Sequence, residues 1–252
     1  MAGGTTSALP GTSQRLLVPA YFYPFGTLWQ EMADTLAAHG LEAVIVANPA
    51  NGPGTERDWM YGDAIEYCRA KGHTVLGYVD TNHRLRKLSD VKADVAEFYR
   101  LYPAIEGIFL DQVSNEPARP VKRHYRDLYR WIKSARPDSL VVGNPGVPAL
   151  TRWPVRGSGI ADVLCVFEGA AADYLDWDPP RWVRSRDPGA FAHLVYASED
   201  AEMTAAVAAA SRARHAGWIF VTQGLVPHPW GLPPDAGMYG HPGLERRAAP
   251  AR

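Results

Sequence analysis

Residues 74–113, TVLGYVDTNHRLRKLSDVKADVAEFYRLYPAIEGIFLDQV, decide the fold of this chain. Two apolar, β-branched runs enclose the segment 89–102, which has helical periodicity, opens with the N-cap candidates Ser89 and Asp90, and stops before Pro103. Near-continuous apolar runs are typical of strands that are buried on both faces of a parallel sheet. The stretch therefore predicts a strand, a crossover helix and a second, parallel strand.

The same unit repeats along the rest of the chain. Eight apolar runs begin at Leu16, Ala43, Thr74, Gly107, Leu140, Val163, Phe191 and Gly217. Their starts differ by 27, 31, 33, 33, 23, 28 and 26 residues, which is close to the roughly 30 residues of one strand-plus-helix unit. Helical patterns cover 27–39, 56–71, 89–102, 119–135 and 199–214, with weaker ones at 148–160 and 173–187. The repeat predicts an α/β fold, a single (β/α)8 barrel of the TIM type.

An open, doubly wound sheet is the alternative architecture. No GxGxxG or GxxxxGK[ST] motif follows any of the apolar runs, so the usual nucleotide-binding signatures of that fold are absent. We expect residues 15–240 to form one barrel domain, and residues 1–14 and 241–252 to be disordered tails.

The composition argues against several classes of partner. The 26 basic and 27 acidic residues leave a formal net charge of −1 without a long block of one sign, so we expect no nucleic acid partner. The Arg-rich stretch 119–136 is interpreted as the solvated face of a helix. Cys68 and Cys165 lie in helical and strand patterns and are expected to be buried free thiols. No Cys/His cluster has the spacing of a metal site, so we expect neither a metal nor another cofactor.

The chain shows no sign of a membrane segment or an export signal. No apolar run approaches the ~20 residues that are needed to span a bilayer, and the first residues lack the pattern of a signal peptide. We therefore expect a protein that is cytoplasmic as written, or secreted if an upstream signal peptide has been removed. The sequence does not indicate an oligomeric state.

Polar side chains follow the predicted strands at their carboxyl ends, where (β/α)8 enzymes build their active sites. Asp111 and Glu168 each end a buried strand and are expected to point into the barrel mouth. Two acids in this position are the minimum equipment for hydrolysis of a glycosidic bond. For each acid taken alone, capping of a loop or pairing with an arginine is the structural alternative.

Hydrogen-bonding side chains and tryptophans near these acids suggest a surface that binds sugars. The expected substrate-binding residues are Tyr21, Tyr23, Asn48, Asp80, Asn82, Gln112, Asn144, Gln223 and Trp230. Further aromatic platforms are expected at Trp59, Trp153, Trp177 and Trp182. Asn48 and Asn144 precede Pro and could instead satisfy loop backbone. Because an amide cannot transfer protons at neutral pH, Gln112 is expected to orient the substrate rather than to react.

One predicted strand separates the two acids, which leaves the stereochemistry of hydrolysis open. Backbones two strands apart are roughly 10 Å apart, and inward-leaning side chains shorten that gap. A carboxyl separation of about 5–5.5 Å permits covalent attack, whereas about 6.5–9.5 Å leaves room for water. We favour the shorter gap, with Asp111 ionised and with the pKa of Glu168 raised so that it can donate a proton.

These strand ends resemble those of the spherulation-specific family 4 proteins. The segments that carry the resemblance are VPAYFYP (18–24), VIVANPANGPG (44–54), VLGYVDT (75–81), IEGIFLDQVSN (105–115), VVGNPG (141–146), ADVLCVFEG (161–169) and WIFVTQGLVPHPWGLP (218–233). The resemblance implies a (β/α)8 glycoside hydrolase that cuts α-1,4-linked galactosamine and N-acetylgalactosamine polymers. It also implies that Asp111 is the catalytic acid after strand 4 and that Glu168 is its partner.

The chain departs from the family pattern at three places. Gln112 and Gln223 stand where the family commonly has acidic residues, and His83 stands where it often has an aromatic one. The leading expectation remains a metal-independent glycosidase on a carbohydrate substrate. Two alternatives are a weakened hydrolase that only binds glycans, and an intracellular enzyme of specialised metabolism that acts on a small substrate.

Overall fold

The computed structural model describes residues 14–148 and 159–234, together with Met238 and Leu244. Eight parallel strands pair in chain order and close into a barrel, so the predicted (β/α)8 architecture is confirmed and the open sheet is wrong. The strands are β1 (Arg15–Ala20), β2 (Ala43–Ala47), β3 (Thr74–Asp80), β4 (Gly107–Asp111), β5 (Leu140–Gly143), β6 (Val163–Ala170), β7 (Phe191–Tyr196) and β8 (Trp218–Val221). The barrel closes where Arg15 and Leu16 of β1 pair with β8.

Helices cover the outside of the barrel. Those in the described part of the chain are α1 (Leu28–Ala38), α2 (Trp59–Ala70), α3 (Leu88–Leu101), α4 (Arg119–Ala135), α5 (Ala171–Asp176), α6 (Arg181–Arg184) and α7 (Ala201–Ala213). The weak pattern at 173–187 corresponds to two short helices, while most of the pattern at 148–160 lies outside the described residues. None of the described helices is long and apolar enough to cross a bilayer.

Local sequence explains where several helices begin and end. Asp58 caps α2 by accepting hydrogen bonds from the backbone N–H groups of Met60 and Tyr61. Gly40 and Gly72 follow α1 and α2 with φ of 69° and 82°, a left-handed conformation that suits a residue without Cβ.

The predicted cap of α3 is wrong by two residues for Ser89 and by three for Asp90. The helix begins at Leu88 with Lys87 as the N-cap, so Ser89 and Asp90 lie inside the first turn. The Ser89 hydroxyl donates to the Asp90 carboxylate instead of capping the helix. No side chain of the described residues caps the first turn of α3.

Apolar faces of strands and helices form one core. In α4 the side chains of Val121, Tyr125, Leu128, Tyr129 and Ile132 are buried along one stripe, as helical spacing predicts. The two cysteines are buried and free.

Two residues of the predicted tails belong to the folded body. Gln14 forms a parallel β bridge with Leu244, and both are buried. The sequence gives no sign of this bridge, because a polar residue and an isolated leucine form no strand pattern. The remainder of both predicted tails lies outside the described residues.

Candidate active site at the barrel mouth

A cavity of about 660 Å³ opens at the carboxyl ends of the strands. Its lining comprises Tyr21, Asn48, Asn51, Tyr78, Asp111, Gln112, Gly146, Glu168, Tyr196, Val226, Pro227, His228, Pro229, Trp230 and Gly231. The cavity falls within the size range of sites that enclose small molecules. It is also at the end of the barrel where enzymes of this architecture carry out their chemistry.

The two strand-end acids meet at a single amide. Asn144, which is buried just after β5, donates through Nδ2 to Oδ1 of Asp111 at 2.9 Å and to Oε2 of Glu168 at 2.6 Å. Both hydrogen bonds start at the same nitrogen, so the two accepting oxygens cannot be farther apart than the sum of 2.9 and 2.6 Å, about 5.5 Å. The carboxyl groups of Asp111 and Glu168 thus share one end of the cavity.

A bulge in β6 directs Glu168 toward this end. The pairing of β6 with β7 shifts by one residue between Cys165 and Phe167. The Phe167 ring packs outward against Tyr174 and Trp177, so the next side chain, that of Glu168, faces the opposite side. β-bulges commonly redirect side chains next to active sites in this way.

Tyrosines form the wall behind Asp111. The Tyr78 hydroxyl donates to Oδ2 of Asp111 at 2.8 Å, and the Tyr21 ring meets the Tyr78 ring edge-on at 5.4 Å. Burial, followed by the charge of Asp111, raises the pKa of both phenols, so both remain neutral donors. Asp111 therefore faces hydrogen-bond donors on several sides.

The two acids have different electrostatic surroundings. Burial and then the charge of Asp111 raise the pKa of Glu168 from 4.5 to about 7, against the opposing hydrogen bond from Asn144. Burial also raises the pKa of Asp111, but donors from Tyr78, the Gln112 backbone and Asn144 oppose that rise. Three donors favour the ionised form of Asp111 more than one donor favours that of Glu168. Of the two acids, Glu168 is therefore the one whose protonated form the surroundings favour more.

The turn after β4 is held from β3 and α4. The buried Thr81 hydroxyl donates to the backbone carbonyls of Asp111 at 3.0 Å and Gln112 at 2.8 Å, and it also bonds the Tyr125 hydroxyl. The backbone N–H of His83 donates to the Gln112 carbonyl. Gln112 has a φ of 50°, a left-handed conformation that is uncommon outside glycine and that recurs at functional sites.

Five of the nine predicted substrate-binding residues lie at the cavity, four in its lining and one beneath it. Tyr21, Asn48, Gln112 and Trp230 line it, and Asn144 bridges the acids beneath it. Asn48 also fulfils the alternative role, since its side-chain oxygen accepts from the Gly52 backbone N–H. Trp230 is nearly buried against Tyr196 and Phe220, so it forms a wall rather than an exposed platform.

Besides Asn144, four predicted substrate-binding residues, Tyr23, Asp80, Asn82 and Gln223, lie outside the cavity lining. Tyr23 donates its hydroxyl to Asp58 on the rim. Asp80 accepts from the Asn82 backbone N–H, and Asn82 is exposed in a 3₁₀ turn. Gln223 is exposed after β8. Tyr23, Asn82 and Gln223 follow a strand end, so the direction of a loop decides where they lie, and distance from the strand end does not reveal that direction.

The tryptophans predicted as platforms also separate. Trp177 packs against Phe167 and His193, and Trp182 packs against Phe191, so both belong to the layer between strands and helices. Trp59 is exposed at the start of α2. Trp153 lies outside the described residues.

Sequence reasoning missed several residues of the cavity. Tyr78 is absent from the predicted site because it lies inside the apolar run of β3 rather than at its end. Its position two residues before Asp80 in a strand was the available signal, since alternate residues share a face. The segment 226–231 contributes a wall through its loop conformation, which carries no period to detect.

No group of three or more His, Cys, Asp or Glu side chains that could hold a metal ion occurs among the residues described. Asp111 accepts hydrogen bonds from Tyr78 and Asn144, and Glu168 accepts one from Asn144. The arrangement suits acid–base and nucleophilic chemistry by a carboxylate pair.

The family model of spherulation-specific family 4 matches residues 15–231, which include every strand of the barrel. The chain belongs to this family. A curated member, Spherulin-4 from Physarum polycephalum, is 28% identical over 219 residues, which cover 83% of this chain and 63% of the Physarum protein. The match therefore covers less than two thirds of the length of that family member.

Solved structures share the family's barrel. Sph3 from Aspergillus clavatus, solved in complex with GalNAc, has a TM-score of 0.72 at 20% identity, covering 90% of this chain and 95% of Sph3. A glucosidase from Croceicoccus marinus has a TM-score of 0.50 at 10% identity, covering 93% of this chain and 62% of the glucosidase. At these identities the likeness concerns the fold.

Proposed function

We propose that this chain is a retaining glycoside hydrolase that acts on α-1,4-linked galactosamine and N-acetylgalactosamine glycans, with Asp111 as the nucleophile and Glu168 as the general acid/base. The observation that carries the proposal is the shared Asn144 amide, which keeps one oxygen of each acid within about 5.5 Å of the other. That bound fits the roughly 5–5.5 Å of retaining enzymes better than the roughly 6.5–9.5 Å of inverting ones. Family membership and the GalNAc complex of Sph3 support the choice of sugar.

In the first step the Asp111 carboxylate attacks the anomeric carbon, and the bond from that carbon to the glycosidic oxygen breaks. Glu168 gives its proton to the departing oxygen, which its pKa of about 7 allows near neutrality. In the second step Glu168 takes a proton from water, the water oxygen bonds the anomeric carbon, and the ester to Asp111 breaks. Tyr78 and Asn144 hold Asp111 through both steps.

The test is turnover of an α-1,4-galactosaminide polymer by the wild type and by Asp111→Asn and Glu168→Gln. Each substitution is expected to reduce kcat at least about a thousandfold, because each removes one of two essential groups. The alkaline limb of the wild-type pH profile should fall near pH 7, where Glu168 loses its proton.

The stereochemistry is tested separately by NMR of the first product formed. Retention of the α configuration agrees with a covalent intermediate, and inversion contradicts the assignment of Asp111 as nucleophile. Azide added to Asp111→Ala should give a β-glycosyl azide, because azide then attacks from the face that the carboxylate has vacated. Full activity in either carboxamide variant would reject the pair.

A second candidate function is glycan binding without turnover, which Gln112 favours. An amide next to Asp111 carries no charge where members of the family commonly have an acid, so the cavity has one ionisable group fewer. Binding of the polymer by the wild type without release of reducing ends would establish this function instead.

A further inference from the structure

Exposed apolar side chains are distributed unevenly over the molecule. Nine large hydrophobic side chains are exposed among the described residues, and eight of them lie on loops that follow strands or on the first residue of a helix after such a loop. These eight are Tyr23, Phe25, Trp59, Leu85, Val147, Leu225, Val226 and Leu232. Scattered exposed apolar residues need no explanation, whereas a concentration on one face marks a binding surface.

Three aromatic members of this set lie on the neighbouring loops after β1 and β2, and we call Tyr23, Phe25 and Trp59 the aromatic shelf. Phe25 and Trp59 are 76% and 69% exposed. Tyr23 is fixed through its hydroxyl, which donates to Oδ2 of Asp58 at 2.9 Å, and Asp58 itself caps the helix that begins at Trp59. The backbone N–H of Phe25 donates to the Tyr23 carbonyl at 2.7 Å, which closes a tight turn.

The shelf is continuous with the wall of the cavity. The Tyr23 ring meets the Tyr61 ring edge-on at 5.5 Å, and the Tyr61 hydroxyl donates to the Asn48 carbonyl at 3.1 Å. Asn48 and Tyr21 are cavity-lining residues from the same two loops. An extended ligand that left the cavity on this side would next contact the shelf.

We infer that the aromatic shelf is a distal glycan-binding site, which takes a hexosamine ring of the same polymer outside the cavity. This inference rests on the proposed function. A cavity of about 660 Å³ encloses only a short part of a polysaccharide, so the rest of the polysaccharide must cross the rim. The C–H faces of a pyranose ring pack on aromatic rings through dispersion, and polar groups beside the rings bond the hydroxyls.

A second copy of this chain fits the shelf less well. The exposed parts of three aromatic side chains amount to on the order of 400 Å², about half of the roughly 800 Å² that each partner buries in a stable protein interface. The aromatic rings and the fixed polar groups beside them also suit a sugar better than a lipid, because a lipid would need an aliphatic surface. The shelf is large enough for one or two sugar rings.

The test compares a long polymer with a substrate too short to leave the cavity, such as an aryl α-galactosaminide. Phe25→Ala combined with Trp59→Ala should raise KM for the polymer about tenfold or more, because one or two stacking contacts are lost. Turnover of the short substrate should stay within about twofold. Replacing Trp59→Ala by Trp59→Phe in this double variant should restore much of the polymer affinity, since phenylalanine supplies an aromatic face at that position.

Leu85→Ala is the matched control, because Leu85 is 79% exposed on the loop after β3 but is aliphatic. It should leave both substrates unaffected. An unchanged KM for the polymer in the double variant overturns the shelf assignment, as does an equal loss on both substrates. Light scattering of the wild type and the double variant tests whether a second copy of this protein binds the shelf. A wild-type dimer that becomes a monomer in the double variant would also overturn the assignment.

Failure of the proposed function is distinguishable from failure of the shelf. Cosedimentation with insoluble polymer, measured for Glu168→Gln with and without the two shelf substitutions, needs no turnover. If the wild type neither cleaves nor binds the polymer, the proposed function fails and the shelf assignment fails with it. If it cleaves and the shelf variants bind equally well, only the shelf assignment is wrong.

Discussion

Asn144 opposes the effect of burial on both acids. Its Nδ2 donates to Asp111 and to Glu168, and each hydrogen bond lowers the pKa of the carboxyl group that accepts it. Its Oδ1 accepts from the Gly146 backbone N–H, which fixes the orientation of the amide. Because the charge of Asp111 also raises the pKa of Glu168, the two titrations are coupled, and the pH profile reports on the pair.

We expect Asn144→Ala to move both limbs of the kcat/KM pH profile to higher pH. Losing the donor destabilises both carboxylates, so Asp111 ionises later and Glu168 keeps its proton longer; a shift of about one pH unit corresponds to one charged hydrogen bond. The value of kcat/KM at its optimum should fall about ten- to a hundredfold. Asn51→Ala is the control, since Asn51 lines the same cavity and should leave the limbs in place. An unchanged pH profile in Asn144→Ala would show that the amide does not lower the pKa values of Asp111 and Glu168.

The sequence located the acids better than their surroundings. Asp111 and Glu168 were predictable because each ends an apolar strand, and strand ends of a barrel converge. Tyr23 and Gln223 were assigned to the site by the same rule, yet both lie outside the cavity lining. A strand constrains where its last side chain points, whereas the loop after it has no period, so side chains beyond the strand end cannot be placed from spacing.

At the scale of elements, two irregular features place the acids. The bulge in β6 turns Glu168 inward, and the loop after β3 holds the left-handed turn at Gln112. The strands and most helices were predictable from their periods. The bulge was not, because it arises from pairing with β7, and a run such as VLCVFEG at 163–169 looks the same whether or not one residue is skipped.

Thr81→Val tests whether the loop after β3 supports the turn that carries Asp111. The substitution keeps the shape but removes a buried hydroxyl that contacts two carbonyls and Tyr125, at a cost of about 1–3 kcal/mol. The Tm should fall by roughly 2–4 °C per kcal/mol, and kcat should fall about tenfold as Asp111 loses its fixed position. Thr204→Val is the control, since Thr204 is equally buried and bonds Ser198 through its hydroxyl in α7. It should lower the Tm and leave kcat unchanged; an equal kcat in both variants would contradict a positioning role for Thr81.

At the scale of the whole molecule, the two ends of the barrel have different tasks. The carboxyl ends carry the cavity, the acids and the exposed apolar loops. The amino ends carry Gln14, which is buried just before β1, forms a bridge with Leu244, and donates through Nε2 to the Ser211 hydroxyl at 2.8 Å and to the Ala216 carbonyl at 2.9 Å. Gln14 thereby ties β1 to α7 and to the segment before β8, across the seam where the first and last strands close the barrel.

Gln14→Ala should therefore destabilise the protein without altering its chemistry. Two buried hydrogen bonds are lost and their acceptors lose a donor, which costs about 1–3 kcal/mol and lowers the Tm by roughly 2–4 °C per kcal/mol in a chain of this size. At temperatures well below the transition, kcat and KM should match those of the wild type, because residues at the amino ends of a barrel stabilise the fold while those at the carboxyl ends act on the substrate. Thermal unfolding followed by circular dichroism measures the first effect, and polymer turnover at a temperature where both proteins are folded measures the second. A loss of turnover as large as that of Asn144→Ala would mean that the packing between β1 and β8 affects the positions of Asp111 and Glu168. The two ends of this barrel would then not be independent.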